Sequence, residues 1–152
     1  MSLTVRQLKV GDEAALIQLA AVHKSVKVSP EYARSLLANE ANYLIVAEGA
    51  GQLLGFVWAY CLARLDQRRP QLFIYEVDVA EAHQRRGVGT ALMEHICELV
   101  NRLHLMEAFV LTSSTNGAAI GLYTKTGGVA QSEPEIIFVY PGHPGSVHSM
   151  VG

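Results

Sequence analysis

The chain is poor in cysteine: Cys61 and Cys97 are the two among 152 residues, with no Cys-x-x-Cys pair and no histidine at ligand spacing. That argues against a zinc site and against a disulfide framework, and a reducing cytoplasm is the setting it suits. Charge is scarce and balanced, with twelve Lys plus Arg against fourteen Asp plus Glu, a formal charge of -2. No overall basic field exists to hold a nucleic acid backbone, so an anion has to be held by local geometry. Long apolar runs are missing too. The longest, residues 53–63, is about half the roughly 20 residues of a membrane span and contains Gly55, Trp58 and Tyr60, so it reads as a buried strand. The first residues lack a basic segment followed by an apolar one, so no secretory signal is expected. What is plentiful is hydrophobic side chain, 50% of the chain, which at this length points to one compact domain.

Alternation over residues 3–8 predicts a strand; Gly11-Asp12 then precedes Ala14, Leu16, Ile17, Leu19, Ala20 and Val22 at helical spacing, with Asp12 as cap. Ser29-Pro30-Glu31 starts a second helix that runs to about Asn39: a capping hydroxyl, proline in the first turn, an acid at the positive end. Residues 43–48 and 53–65 are β-rich and separated by Gly49-Ala50-Gly51-Gln52, a hairpin, and residues 71–80 add a strand. Val88, Ala91, Leu92, Ile96, Leu99, Val100 and Leu103 mark a long amphipathic helix. A strand at 108–111, a helix at 118–126 stopped by Gly127-Gly128, and a last strand at 136–140 complete the order. This describes an α/β (α+β) domain over residues 1–140, a mixed sheet covered by helices, followed by a turn-rich mobile tail at 141–152.

The richest stretch is Val77-Asp78-Val79, a linker to His83, then Gln84-Arg85-Arg86-Gly87-Val88-Gly89-Thr90 entering the long helix. Strand, glycine turn and helix make an anion site: Gly87 and Gly89 let the backbone approach, and the amides and dipole of the first turn face the ligand. Each dipole contribution is roughly 0.3 to 1 kcal/mol, so several amides rather than one arginine would hold a pyrophosphate. The plain alternative is an ordinary turn with two solvated arginines. A Walker loop is absent, and a dinucleotide fingerprint would need glycine or alanine where Leu92 stands.

Gln84-x-x-Gly87-x-Gly89, after an apolar strand and opening an amphipathic helix, resembles the acetyl-CoA loop of the GNAT superfamily of N-acetyltransferases. Residues 73–79 with His83, and Leu122-Tyr123-Thr124-Lys125 with Gly127, look most like the type I aminoglycoside 3-N-acetyltransferases. The resemblance implies a mostly antiparallel, twisted mixed sheet flanked by helices, acetyl-CoA as co-substrate, no metal, and a small primary amine as acceptor, aminoglycosides and antibiotic resistance among the candidates. It implies no nucleic acid or membrane partner and leaves room for a homodimer. Those antibiotic enzymes carry aspartates where this chain has Ser113-Ser114-Thr115-Asn116-Gly117, so a polycation would lose counter-charge. Two rivals stay open: a protein or peptide N-acetyltransferase, for which 22–29 with Lys24 and Lys27 gives no clear answer, and a sensor that binds acetyl-CoA without turnover.

An alkylamine with a pKa near 10.4 is nucleophilic in about one molecule in 10³ at pH 7, so a base or water wire must take its proton. Glu76 interrupts an apolar strand before the loop and resembles the family's acid there. Asp78 shares its face in a regular strand, where two like charges make one carboxylate the readier proton acceptor; a bulge of the kind this family carries would break that parity. Both would also contact the acceptor, or either would merely pair with a cation such as Arg64. Tyr123 stands where the resemblance puts the acid that protonates the leaving thiolate, and would touch the cofactor; its alternative is packing beside Leu122. By the same resemblance Asn116 would bond the pantetheine arm unless it is a loop cap, backbone groups of Val77 and Val79 would pair with pantetheine and polarise the thioester, and Gln84, Arg85, Arg86, Gly87, Val88, Gly89 and Thr90 would bind the cofactor. His83 reads as linker and His95 as core edge, and buried Cys61 and helical Cys97 do not suit an acyl-cysteine.

Overall fold

The computed structural model describes residues 2–66, 68–133 and 135–142. By contact density the chain forms two compact units, Met1–Val110 and Leu111–Gly152. The first holds β1 (Thr4–Gln7), α1 (Glu13–Lys24), α2 (Pro30–Ala38), β2 (Asn42–Gly49), β3 (Gln52–Leu62), β4 (Gln71–Val79), a single 3-10 turn at Glu81–His83, α3 (Val88–Arg102) and β5 (Glu107–Val110). The strands lie in the order β1-β2-β3-β4-β5, antiparallel except for the parallel β4–β5 pair. This is the mixed, mostly antiparallel sheet expected.

Alternation along the strands sorts side chains into two layers. Leu44 and Val46 of β2 and Phe56 of β3 pack with Leu16 and Leu19 of α1 and Ala33 of α2; Trp58 lies against the same cluster. On the opposite face Ile45, Val57, Ala59, Leu72 and Ile74 are buried, and α3 contributes Val88, Leu92, Met93, Ile96 and Leu99 at helical spacing. The β2–β3 hairpin turns through Ala50 and Gly51, with φ of 50° and 74°, the two left-handed residues of a type I′ connection. Ser29 caps α2 as expected, its Oγ accepting from the Tyr32 N–H at 3.1 Å.

Three expectations need correction. Asp12 sits at the N-cap of α1 but its side chain caps nothing: it accepts from the Lys9 N–H (2.8 Å) and from Arg6 (3.1 Å). Those two donors hold its carboxyl below the usual range, and they draw it back toward the loop that precedes the helix. The strand expected over 53–65 ends at Leu62, where Leu65 is fully exposed. The last strand, 136–140, is not one: residues 136–140 have no regular structure and all five side chains are exposed. A strand needs a paired neighbour, and the described residues of the second unit form a single regular element, α4 (Gly117–Lys125). Of the tail expected at 141–152, residues 143–152 lie outside those described.

One glycine in the sheet is there for lack of room. A Cβ at Gly55 would stand 2.7 Å from the carbonyl oxygen of Asp78 and 3.2 Å from the Cα of Val79, the residue opposite it. Gly55→Ala has to push β3 and β4 apart, and we expect a loss of about 1–3 kcal/mol, the cost of overpacking a tight contact. Equilibrium urea unfolding measures it; an unchanged midpoint would mean that the strands part freely here.

Candidate active site

The site in the first unit is built on β4. Glu76, Val77, Asp78 and Val79 face Trp58, Val57, Phe56 and Gly55 in regular register, whereas Ile74 faces Ala59, so Tyr75 is one residue too many. This is the bulge, and it falls before the acids rather than between them. Glu76 and Asp78 therefore keep a common face, the one carrying Phe56 and Trp58, where α1 packs. Had β4 been regular, both would have followed Leu72 and Ile74 onto the face of α3. The anticipated loss of parity between the two acids does not occur.

The end of α1 meets them there. Lys24 forms an ion pair with Glu76, and His23 Nδ1 lies 2.7 Å from an Asp78 carboxylate oxygen. The His23 side chain is 2% exposed, with its ring edge-on to Phe56 at 5.3 Å, and its Nε2 has no hydrogen-bond partner. Arg64, considered as a partner for the acids, instead holds Asp66 (2.8 Å) and Gln71 (3.0 Å). Beside Glu76 runs a row of rings, with Tyr60 near both Trp58 and Tyr75, and Phe73 near Tyr75.

β5 accompanies β4 only from Gln71 to Ile74. The Ala80 N–H bonds to Leu54 on the β3 side, so by alternation the main-chain groups of Val77 and Val79 point to the other edge, beyond the reach of β5. There the Val79 carbonyl accepts from the Gln84 side chain at 3.1 Å. Gln84 thus braces the start of the loop.

Arg85 (φ 63°) and Gly87 (φ 82°) are left-handed, and together they swing the chain into α3. Gly87 is its N-cap with no neighbouring atom within 4 Å of a Cβ, and no side chain caps the helix. The first helical bond is that of the Ala91 N–H to the Gly87 carbonyl, so the amides of Val88, Gly89 and Thr90 have no intrahelical acceptor. Val88 is buried and anchors the turn, while Arg85 and Arg86 are exposed. Open glycine, orphan amides and the positive helix end suit a pyrophosphate.

In the second unit, Asn116 caps α4, its Oδ1 accepting from the Ala119 N–H at 3.1 Å, so a pantetheine contact is left to its Nδ2. Tyr123 is half-buried, and burial raises its phenol above the ordinary 10. The helix ends on Gly127 (φ 100°), with Gly128 N–H bonded to the Tyr123 carbonyl and Gly127 N–H to that of Thr124, a Schellman motif.

The remaining candidates stand apart from this chemistry. His83 ends the 3-10 turn, half-buried; His95 is half-buried on α3, where desolvation lowers its pKa. Burial pushes the Cys61 thiol up, which disfavours a nucleophilic thiolate, and Cys97 lies exposed on α3. A cavity of about 590 Å³, bordered by Lys9, Asn39, Tyr43 and Arg102, contains none of the expected site residues. No described helix is long and apolar enough to cross a membrane, and no group of three or more His, Cys, Asp or Glu among the described residues could hold a metal ion. Sequence reasoning took residues 22–29 with Lys24 as an acceptor-side segment without naming His23 or pairing either residue with an acid; a further signal was two polar residues ending an apolar helix.

Residues 14–128 match the model of the acetyltransferase (GNAT) family. The chain belongs to that family. Its members move an acetyl group from acetyl-CoA, and the sheet with its flanking helices is the GNAT fold. N-acetyltransferase family 8 member 3 of Mus musculus is 27% identical over 107 residues, 70% of this chain; the chain spans 46% of that protein's length. An aminoglycoside acetyltransferase from an uncultured soil metagenomic sample is 30% identical, with a TM-score of 0.79 over 92% of this chain and 100% of that one. The ribosomal-protein-alanine N-acetyltransferase of Brucella melitensis biovar Abortus 2308 shares the fold at 18% identity, with a TM-score of 0.72 over 91% of this chain and 100% of that one.

The Tyr123 environment gives a direct spectroscopic expectation. Because burial disfavours the phenolate, the absorbance difference between this GNAT protein and its Tyr123→Phe variant should titrate with a midpoint above 10. A midpoint at or below 10 would place the phenol in open water.

Proposed function

We propose that this GNAT chain transfers acetyl from acetyl-CoA to a primary amine of a small molecule; a mono- or diamine suits its two carboxylates best, and aminoglycosides, first among the named candidates, bind less tightly than in the enzymes with an acidic loop. The observation that carries this reading is the single strand β4, which bears two carboxylates on one face for a cation and leads, through the 3-10 turn and the loop after it, to an uncapped, glycine-opened helix start for an anion. The diphosphate of acetyl-CoA lies against the amides of Val88, Gly89 and Thr90, with Arg85 and Arg86 adding exposed charge. Main-chain groups of Val77 and Val79 take the pantetheine amides and the thioester carbonyl. Glu76 receives the proton of the acceptor ammonium, directly or through water; Tyr123 protonates the departing thiolate; Asn116 steadies the pantetheine arm. The acetyl carbon gains a bond to nitrogen as its bond to sulfur breaks.

The charge count limits the acceptor. An ammonium group that leaves water must regain its solvation from carboxylates. Residues 113–128 contain no acid, so Glu76 and Asp78 supply the negative charge and match one or two ammonium groups rather than four or five. Aminoglycosides remain candidates because a protein 30% identical carries that name.

Thiol release from acetyl-CoA, measured side by side on diamines, aminoglycosides, amino acids and peptides, tests the assignment. Small mono- and diamines should be turned over; activity confined to peptides would overturn it. Gly87→Val with Gly89→Val should abolish acetyl-CoA binding, because side chains would fill the approach to the amides, and an unchanged affinity would remove the loop from the site. Tyr123→Phe should lower kcat about 100-fold with little change in acetyl-CoA affinity, the scale of a lost general acid. Glu76→Gln should alter the acidic limb of the rate profile, and wild-type rates at every pH for both variants would dismiss these roles.

A further inference from the structure

The two acids of β4 are held in different ways. Lys24 is half exposed, 51%, and stands at the last position of α1, before the left-handed Ser25 (φ 54°) turns the chain away. Its ammonium lies on Glu76, whose own side chain is 24% exposed. An ion pair of this exposure is weak, and another cation can replace it. His23 is fixed: it is 2% exposed, packed on Phe56, and lies 2.7 Å from Asp78. The His23 Nδ1 contact engages one carboxylate oxygen of Asp78, whose side chain stays 48% exposed. His23 therefore holds Asp78 in place and leaves it open to solvent, whereas Lys24 covers Glu76 with its ammonium.

Resting on the acyl-transfer reading above, we infer that Lys24 is a built-in occupant of the acceptor site: its ammonium holds the place on Glu76 that one ammonium of a diamine takes, and a diamine must displace it. A monoamine has Asp78 open to it without disturbing Lys24. A diamine that uses both carboxylates has to evict Lys24, so this lysine sets a penalty on the second ammonium group and is a specificity-determining residue.

The test is amine binding by calorimetry without acetyl-CoA, supported by the fluorescence of Trp58, the chain's single tryptophan, which stands opposite Glu76. Propylamine and 1,3-diaminopropane serve as probes, each measured on the wild type, Lys24→Met, Lys24→Arg and Lys27→Met. Lys24→Met should tighten the diamine about 3- to 5-fold, the upper figure matching release of a ~1 kcal/mol pair, and leave the monoamine within about twofold. Lys24→Arg should bring no tightening, because guanidinium keeps the charge on Glu76. Lys27→Met removes the same charge nearby and should not discriminate between the probes. Equal tightening of both amines by Lys24→Met, the same discrimination from Lys27→Met, or no amine binding at all would overturn the inference. Turnover of amines without a Lys24 effect refutes this role alone. A Lys24 effect on binding without any turnover supports it and refutes the catalytic reading.

Discussion

One extra residue decides what chemistry β4 can carry. Up to Ile74 the strand sends Leu72 and Ile74 into the layer under α3; Tyr75 then interrupts the pairing with β3, and from Glu76 onward the phase is inverted. The polar residues that would otherwise have been pressed into a hydrophobic layer, at a cost of several kcal/mol each if charged, come out on the face of α1. Because regular pairing resumes at once, Glu76 and Asp78 stay a strand pair apart on the same side. Gly55 keeps that resumed pairing tight by offering no side chain to the Asp78 carbonyl.

The same strand separates its two charges by kind of group. Negative ligand charge would meet main-chain amides at the start of α3, which are always present and carry no net charge. Positive charge would meet carboxylates, which the end of α1 moderates through Lys24 and His23. An anion site of amides needs a left-handed turn and an open approach, and Arg85 and Gly87 provide the backbone for it. A cation site of carboxylates needs something to limit their repulsion, and α1 delivers that from a distant part of the sequence.

Much of this was legible in the sequence, for identifiable reasons. The i, i+3, i+4 spacing of α3, the Ser-Pro-Glu start of α2 and the Ala50-Gly51 turn are local signals, and the structure follows each. The loop from Gln84 to Thr90 was legible because glycine spacing is itself backbone geometry. Asp12 misled because a capping residue type also serves other donors; here Arg6 and the Lys9 amide claimed it. Residues 136–140 misled because apolar, β-branched composition records a tendency to pair and says nothing of a partner. His23 and Asp78 are 55 residues apart, and although a bulge in β4 was anticipated, its position before the acids rather than between them is not set by the alternation. Only the β3 register reveals it.

The helix bearing Tyr123 is nine residues long and contains no buried residue. Isolated helices of this length are marginal in water, so its order depends on the Asn116 cap at one end and the Gly127-Gly128 motif at the other. The Schellman bond from Gly128 terminates on the carbonyl of Tyr123 itself, so fraying from the C-terminal end releases that residue among the first. Warming would therefore disorder the phenol before the sheet melts. If Tyr123 serves the proton transfer proposed for it, heat inactivation should precede unfolding of the sheet and recover on cooling.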